Sequence, residues 1–470
     1  MVFSSSIFLF VFLPVVLLIY YLIRPEFRNP FLLIASLSFY AWANPIYIFV
    51  ILFAIVANFL FGKAIAKTLK KGKGTRRFIL TLGILSNLVP LLYYKYYNFF
   101  FTTVNQIAGT DFPMQNHILP LGISFFTFCG IAYLVDIYKR KTEVQNSLVN
   151  FSLYLSFFPK VSQGPITRYG DMAGQLENRT CTVEKFSGGI RRFSIGLAKK
   201  VLVADVLGQM VDSIYNLPAN QNTAAIAWMA SIGYTFQIYF DFSGYSDMAI
   251  GLGKMFGFDI MENFNYPYIS KNISEFWRRW HISLSSWFRD YLYIPLGGNR
   301  TGNVYVNLMI VFLVTGLWHG AAWNFIIWGI WHGIFILLER VFRVHKIQIK
   351  VPPVFKWLYA MFIVNIGWVL FRAPDLHYAL NFLGVMFGVV QPVDVGFTIN
   401  WYLSGKMLFA FVVAVLASIP WKKVFPCSFS QVEGTYLAVI SKNVWAVVLL
   451  FFSIMGVMTS TYNSFIYFKF

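Results

Sequence analysis

The chain of 470 residues is 58% hydrophobic, only 12% charged and strongly basic, with a formal net charge of +19. Because soluble domains carry about 25% charged residues, this composition excludes a soluble enzyme and indicates a protein integral to a lipid bilayer. The basic residues lie in short runs between apolar segments, as topology signals do, so we predict no nucleic-acid partner.

Apolar segments of roughly the 17–25 residues that cross a bilayer recur along the whole chain. The longer ones are Ile7–Ile23, Phe78–Phe101, Leu119–Tyr138, Phe193–Tyr215, Trp323–Val341, Phe355–Phe371 and Val444–Met458. Shorter or interrupted ones are Pro30–Phe61, Leu148–Val161, Thr223–Tyr239, Tyr245–Phe258, Val304–Leu317, Leu376–Val390 and Met407–Ile419. Together they predict an all-α integral membrane protein with about eleven transmembrane helices and further re-entrant or amphipathic helices.

Positive charge predicts the orientation of the first spans. No basic residue precedes the first apolar segment and Arg24 follows it, so we expect a retained helix that starts outside rather than a cleaved signal peptide. Residues 63–77 contain seven Lys or Arg and no acid. Both basic segments can be cytoplasmic only if Pro30–Phe61 crosses the bilayer twice, with a break at Asn44-Pro45.

The chain is predicted to be one polytopic domain, residues 1–470, in three parts. Residues 1–140 form N-terminal helices, residues 141–345 form the core that carries the chemistry, and residues 346–470 form C-terminal helices and a tail. The core mixes apolar residues with Pro, Gly, Arg and Asn. Because irregular backbone at membrane depth must be buried in protein or line a watery cavity, we expect re-entrant segments there. The three cysteines form no CxxC pair, and we expect no bound metal.

The segment Asn272–Tyr293 has the pattern of an amphipathic helix, with Arg278, Arg279 and Arg289 largely off its aromatic stripe. Asn272 and Glu275 are spaced for a capping-box-like start. Ionisable groups at membrane depth are costly and commonly functional. Two interpretations remain open: the arginines bind lipid headgroups at the membrane surface, or they gather an anionic, phosphate-bearing ligand.

Three histidines are candidates for chemistry: His281 in this segment, and His319 and His332 in twin Trp-His-Gly triplets after it. Each is open to a structural interpretation, as a buried residue or an interhelical hydrogen-bonding group. Each is also open to a catalytic one, because neutral imidazole takes a proton from a hydroxyl near pH 7. On one straight helix His319 and His332 would lie about 20 Å apart on nearly opposite sides. They can serve one substrate only if the chain turns near residues 320–322, and we prefer His319, which has glycines nearby that leave room for a ligand.

Two carboxylates, Asp241 and Asp247, lie six residues apart and do not share a helix face. We predict a structural role for both, paired with arginines of the following segment.

Several motifs together resemble the membrane-bound O-acyltransferase (MBOAT) family, and within it the bacterial branch of alginate O-acetylases and peptidoglycan O-acetyltransferases. The resemblance lies in residues 277–285 (Trp-Arg-Arg-Trp-His-Ile-Ser-Leu-Ser), 157–159 with 164–166, 241–251, 287–298 and 316–320 (Gly-Leu-Trp-His-Gly), and in residues 1–5 and 39–42. It thus covers nearly the whole chain.

The resemblance implies a helical bundle around a central funnel, and transfer of an acyl group from a thioester to a hydroxyl. His319 matches the invariant family histidine and would act as the base, while His281 matches the upstream polar position. The resemblance further implies supporting roles for His332, Trp318 and Asn324, and donor binding by Arg278, Arg279, Trp277 and Arg289. Acetyl-CoA is the expected acyl donor, as a substrate rather than a resident cofactor.

The last six residues, Phe465–Phe470, are similar to the C-terminal acyl-transfer motif of the small partner peptide in teichoic acid D-alanylation. This similarity implies that Tyr467 carries the acyl group as an ester, although such a tail is also typical of an interfacial anchor. The resemblance also implies an SGNH-type O-acetyltransferase partner and the bacterial cytoplasmic (inner) membrane, with the N-terminus extracytoplasmic.

The sequence therefore predicts export of acetyl groups for O-acetylation of an extracytoplasmic polysaccharide of the alginate, peptidoglycan or cellulose type. One alternative is a D-alanyl transferase for teichoic acid that uses a carrier-protein thioester. Another is a transporter or flippase with a proton-relaying histidine, for which inverted repeats are typical.

Overall fold

The computed structural model describes residues 1–42, 44–69, 72–345, 351–425, 435–460 and 462. Within these ranges the regular structure is helical and no strand occurs, so the all-α prediction is confirmed. Many of the helices are stabilised at the N-cap, the residue just before the helix, where a short polar side chain accepts a backbone N–H of the first turn. Residues of this kind are Ser147, Asn272, Asn303, Asp375, Ser404 and Thr435.

The described chain divides into two compact units, Met1–Phe193 with Met248–Met261, and Ser194–Asp247 with Glu262–Phe470. The first unit contains the helices α1 Leu13–Leu22, α2 Arg28–Ala41, α3 Ile48–Lys67, α4 Lys73–Leu91, α5 Tyr97–Ala108, α6 Ile123–Tyr138, α7 Leu148–Ser156, α8 Phe158–Val161 and α9 Tyr169–Glu177. Helices α10 Val183–Ala198 and α12 Ala224–Met255 contribute residues to both units.

The second unit also contains α11 Asp205–Tyr215, α13 Ile273–Arg279, α14 Ile282–Phe288, α15 Val304–His319, α16 Trp323–Val344, α17 Pro353–Arg372, α18 Leu376–Met386, α19 Ile399–Tyr402, α20 Gly405–Ala417, α21 Trp421–Val424 and α22 Tyr436–Thr459. Single turns of π-helix occur at Phe8–Phe12, Leu92–Tyr96, Lys199–Ala204 and Arg289–Tyr293, and 3₁₀ turns at Pro25–Phe27, Pro45–Tyr47, Ala219–Gln221 and Pro267–Ile269.

Five helical segments among the described residues are long and apolar enough to cross a membrane: Pro45–Lys67, Lys73–Ala108, Trp323–Val344, Pro353–Arg372 and Ala438–Thr459. Shorter apolar helices lie at Phe8–Leu22, Ile123–Tyr138, Val304–His319, Leu376–Met386 and Gly405–Ala417. The multi-pass character is thus confirmed, while the number of about eleven crossings, the central funnel and the three-part single domain stay predictions.

Amide side chains join the helices inside the first unit. Asn58 on α3 and Asn87 on α4 exchange two hydrogen bonds of 2.9 Å. Gly130 on α6 makes room for them, because a Cβ there would lie 2.6 Å from Asn58 Nδ2. A small residue beside a polar pair is a common way to hold helices together where burial of apolar surface contributes little.

The break expected at Asn44-Pro45 is present, because α2 ends at Ala41 and α3 begins at Ile48. The Asn44 side chain accepts the N–H of Ile46 and starts the new turn. A second expected break is wrong: the separate segments Thr223–Tyr239 and Tyr245–Phe258 are mostly joined in the 32-residue helix α12. Gly244 instead permits close helix packing, since a Cβ would lie 2.7 Å from the carbonyl oxygen of Gly196 on α10.

Candidate active site

The site is built on a tight antiparallel hairpin of α15 and α16. Helix α15 ends at His319, Gly320 is extended, and α16 begins at Trp323. The two backbones approach closely at Gly316 and Gly329, where a Cβ would lie 2.3 Å from the Phe325 carbonyl oxygen and 2.4 Å from that of Phe312. The turn that would let both Trp-His-Gly triplets face one region is therefore present.

Three histidines alternate with two tryptophans in one buried row. The Trp318 ring lies between His281, at a centroid distance of 6.0 Å, and His319, at 4.8 Å. The Trp328 ring lies between His319, at 4.9 Å, and His332, at 5.1 Å. We call these five residues the His–Trp row. All five are buried, so their imidazoles lie in a low-dielectric environment where proton transfer is shielded from bulk water.

His319 lies at the end of α15 and is held from α17 as well. Its ring contacts that of Phe371 at 5.1 Å. Asn324, at the start of α16, donates through Nδ2 to the carbonyls of Leu370 and Ala373 at 3.3 and 2.9 Å. Asn324 therefore fixes the end of α17 against the hairpin, and its supporting role in the reaction stays a prediction.

His332 lies deeper in an aromatic box. Its ring packs against Trp277 at 5.3 Å and Phe276 at 6.4 Å. A Cβ at Gly367 would lie 2.7 Å from His332 Nε2, so only glycine fits there. Neither ring nitrogen of His332 has a hydrogen-bond partner among the residues that the structure describes.

His281 lies at a break in the segment that was predicted to be one amphipathic helix. That prediction is wrong: α13 ends at Arg279, α14 begins at Ile282, and His281 adopts φ 45° in the left-handed region. The returning strand-like segment 263–265 holds the break, since Asn263 accepts the N–H of Ile282 and Asn265 donates to the Arg279 carbonyl, both at 2.9 Å. Backbone strain of this kind is characteristic of functional positions.

The His281 ring is completely buried and packs edge-on against Phe242 at 4.6 Å. Burial lowers the pKa of His281 to about 3, because the charged form is poorly solvated there. The imidazole is therefore neutral near pH 7, and one of its nitrogens has a lone pair that can accept a hydrogen bond.

The residues predicted to bind the donor occupy different environments. Trp277 is buried, with its ring 5.6 Å from that of Trp328. Arg279 is paired with Glu275 at 2.9 Å, and Arg289 with Asp290 at 2.7 Å. Arg278 is exposed and has no ion pair among the described residues. Arg278 is thus the arginine of this group whose charge is most available to a ligand, and donor binding by all four residues stays a prediction.

Apart from the histidines, a cluster of lysines and aspartates joins the turn Lys199–Ala204 and the start of α11 to α12. Lys200 Nζ is 2.7 Å from Asp205 and 2.8 Å from Asp241, and Lys199 Nζ is 2.8 Å from Asp247. We call these five residues the Lys–Asp network. Asp241 and Asp247 do have charged partners, as expected, but these are lysines of the preceding segment and not arginines of the following one.

Tyr467 lies outside the described residues, but the chain just before it is described at Tyr462. The Tyr462 hydroxyl donates to Asp212 Oδ2 at 2.7 Å. Asp212 in turn pairs with Arg372 at 2.5 Å, and Arg372 directly follows Phe371, which contacts His319. The segment that leads to the tail is thus anchored at the same end of α17 as His319.

The motifs agree with comparison to known proteins. The membrane-bound O-acyltransferase (MBOAT) family profile matches residues 139–373. The chain belongs to this family and is an O-acyltransferase of the membrane.

Similar proteins are known from several bacteria. A probable alginate O-acetylase of Pseudomonas aeruginosa is 47% identical over 395 residues, which cover 82% of this chain and 75% of that protein. A probable alginate O-acetylase of Pseudomonas putida is 41% identical over 493 aligned positions and is matched along the full length of both chains. A peptidoglycan O-acetyltransferase of Helicobacter pylori is 38% identical over 425 residues, 83% of this chain and 80% of that protein.

Sequence reasoning missed several residues of the site. Asn263 and Phe371 carry no recognisable signal, because their contacts with His281 and His319 exist only once distant segments fold together. Lys199 and Lys200 did carry one, since they are adjacent cations inside the apolar segment Phe193–Tyr215. Cations in such a segment require partners, and Asp205, Asp241 and Asp247 were among the acids available.

Proposed function

We propose that the protein takes acetyl groups from acetyl-CoA on the cytoplasmic side and passes them through the membrane for O-acetylation of an extracytoplasmic polysaccharide of the alginate, peptidoglycan or cellulose type. The observation that carries the proposal is the His–Trp row, in which His319 and His281 both pack against the ring of Trp318. The similarity to O-acetylases along the full chain supports the same acyl group and acceptor class.

The reaction needs one base and one leaving group. His319 takes the proton of an acceptor hydroxyl, and the oxygen attacks the thioester carbonyl. The carbon–sulfur bond then breaks, and the CoA thiolate takes up the proton from His319. An ester and free CoA are formed, and the histidine returns to its neutral state. His281 is the second catalytic histidine, and Arg278 binds a phosphate of the donor by a charge-assisted contact.

Charge along the chain supports an outward path. Residues 340–356 carry five Lys or Arg and no acid, so the positive-inside rule makes the start of α17 cytoplasmic and its end at Arg372 extracytoplasmic. Lys422 and Lys423 likewise make the start of α22 cytoplasmic, which sends Tyr462 and the tail outside. An extracytoplasmic N-terminus, in the inner membrane of a bacterium, is proposed because Arg24 and Arg28 follow the first apolar segment.

Tyr467 is proposed as the first acceptor, forming an acetyl ester that a partner hydrolase-like O-acetyltransferase of the SGNH type moves to the polymer. Tyr467 lies five positions after Tyr462, a reach of at most about 18 Å. Tyr462 is held by Asp212, which pairs with Arg372, the residue next to Phe371. The tail therefore begins close to Phe371. Mass spectrometry of the enzyme trapped during turnover with labelled acetyl-CoA should find the label on Tyr467, and an unlabelled tail during turnover would contradict this step.

The proposed function is tested with the purified protein in liposomes. Acetyl-CoA carrying label in the acetyl group is supplied on one side, and both CoA release and transfer of label are followed. We expect CoA release that depends on acetyl-CoA. Consumption of a D-alanyl carrier-protein thioester instead would favour the D-alanyl transferase, and substrate flux without consumption of any thioester would favour the transporter.

A further inference from the structure

The hydrogen bonds around Asn263 determine which nitrogen of His281 carries the proton. Asn263 is completely buried. Its Oδ1 lies 3.1 Å from the backbone N–H of Ser283 and 2.9 Å from the Ser283 hydroxyl. A backbone N–H can only donate, so the atom that faces it must be the amide oxygen and not the amide nitrogen. The other end of the amide, Nδ2, donates to Ser246 Oγ at 3.2 Å, which agrees with this orientation.

The same oxygen faces His281. Nδ1 of His281 lies 3.2 Å from Asn263 Oδ1. Because an amide oxygen only accepts, this contact is a hydrogen bond only if Nδ1 carries the proton; with Nδ1 unprotonated, two lone pairs would face each other. In a neutral imidazole only one nitrogen is protonated. The Ser283 hydroxyl also lies 3.5 Å from Nδ1, but its one proton is donated to Asn263 Oδ1 at 2.9 Å. The proton is therefore on Nδ1, and Nε2 is left as the acceptor.

Nε2 of His281 is buried and has no hydrogen-bond partner among the described residues. Nearly all buried polar atoms in folded proteins are paired, so an unpaired acceptor beside a reaction site indicates a group that is completed by the substrate. Two features keep this acceptor in place. The backbone of His281 is fixed in the left-handed region. Asn263 bonds through its main-chain oxygen to Ile282 and through its side chain to residues 281 and 283.

We propose that Asn263 is a positioning residue that holds His281 in the tautomer protonated on Nδ1, so that Nε2 accepts a proton or hydrogen bond from the substrate. Neutral His281 then cannot donate from Nε2 to a developing oxyanion, which leaves stabilisation of that oxygen to other groups. The proposal rests on the catalytic role of His281 in the proposed function. It specifies that His281 acts through Nε2 as an acceptor of a proton or hydrogen bond.

The tautomer is measured directly by ¹⁵N spectroscopy of histidine-labelled protein in bilayers without an acyl donor. The chain has six histidines, and the signals that disappear in His281→Gln belong to His281. We expect a protonated Nδ1 and an unprotonated Nε2. A protonated Nε2 in the wild-type protein would overturn the proposal, and this result does not depend on any reaction or on a variant of Asn263.

Three variants then connect the tautomer to the reaction. Asn263→Leu removes the acceptor, and we expect mixed tautomers and a kcat about 10²-fold lower with little change in the KM for acetyl-CoA. Asn263→Asp keeps an acceptor oxygen and should restore the tautomer and most of kcat. The matched control is Asn265→Leu, since Asn265 is exposed and contacts Arg279 only through its main chain. In this variant the tautomer of His281 and the kcat should be those of the wild type.

The outcomes separate this proposal from the proposed function. A changed tautomer with an unchanged kcat in Asn263→Leu would overturn the acceptor role. Failure of Asn263→Asp to restore kcat, with the protein folded and its tautomer restored, would also overturn it. A wild-type protein that consumes no acetyl-CoA would instead refute the proposed function, while the spectrum would still decide the tautomer.

Discussion

The His–Trp row and the Lys–Asp network are both buried groups of ionisable residues, yet they are built in opposite ways. In the Lys–Asp network each lysine ammonium lies within 2.8 Å of a carboxylate. In the His–Trp row the imidazoles lie against tryptophan rings at 4.8–6.0 Å. The first arrangement places opposite charges against each other, whereas the second surrounds the imidazoles with aromatic rings.

The difference shows that a buried ionisable residue is by itself an incomplete sign of a reaction centre. Burial of a charge is costly, so a protein compensates it with a partner of opposite charge or with a loss of the charge. Pairing is typical of a structural role, and neutral imidazoles beside a strained backbone are typical of chemistry. Four experiments test this contrast.

The largest effect is expected from His319→Ala. Removal of the base should lower acetyl transfer by about 10²–10⁴-fold, measured as labelled acetyl on the polymer and as CoA release. The protein should remain folded, because the α15–α16 hairpin is also held by close backbone packing at Gly316 and Gly329; thermal melting in detergent checks this. Wild-type acetylation in this variant would remove His319 from the reaction.

Lys200→Met should mainly reduce stability. It leaves Asp205 and Asp241 as buried carboxylates without this partner, which costs about 3–5 kcal/mol of the free energy of unfolding, measured as a lower melting temperature and lower yield. Lys185→Met is the control, because its pair with Asp259 is partly exposed and contributes about 0–1 kcal/mol. A Lys200→Met protein that is stable but inactive would show that the Lys–Asp network takes part in the reaction and is not only structural.

Gly329→Ala tests whether the hairpin positions the row. The new Cβ would lie 2.4 Å from the Phe312 carbonyl oxygen, so α15 and α16 must separate at a cost of about 1–3 kcal/mol, with a lower kcat because Trp328 shifts. Gly174→Ala on α9, where nothing lies within 4 Å, is the control and should leave the melting temperature unchanged or slightly higher. Equal behaviour of the two variants would show that close helix approach does not position the histidines.

The smallest effect is expected from Tyr462→Phe. Loss of one hydrogen bond to Asp212 should cost about 1 kcal/mol and lower polymer acetylation by about fivefold, with hydrolysis of acetyl-CoA measured in parallel. Tyr97→Phe is the control, since the Tyr97 hydroxyl makes no hydrogen bond within the described residues. If both variants acetylate the polymer equally well, the anchor has no role in tail placement.

Much of the architecture could be read from local patterns. The apolar segments predict most helices because a span must satisfy its own backbone and face lipid. The Asn44-Pro45 break follows from the chemistry of one turn. The joined helix α12 was missed because Gly244 has two opposite uses, as a break or as a close contact, and only the position of Gly196 decides between them.

The sequence by itself determined that this is a multi-pass helical membrane acyltransferase, because composition, apolar periodicity and specific motifs are local properties of the chain. It also selected His281 and His319, which lie within such motifs. The tertiary structure alone decided that a break, and not a helix, carries His281, that Asn263 faces its Nδ1, and that lysines neutralise Asp241 and Asp247. These are contacts between segments distant in sequence, and their geometry depends on how the helices pack.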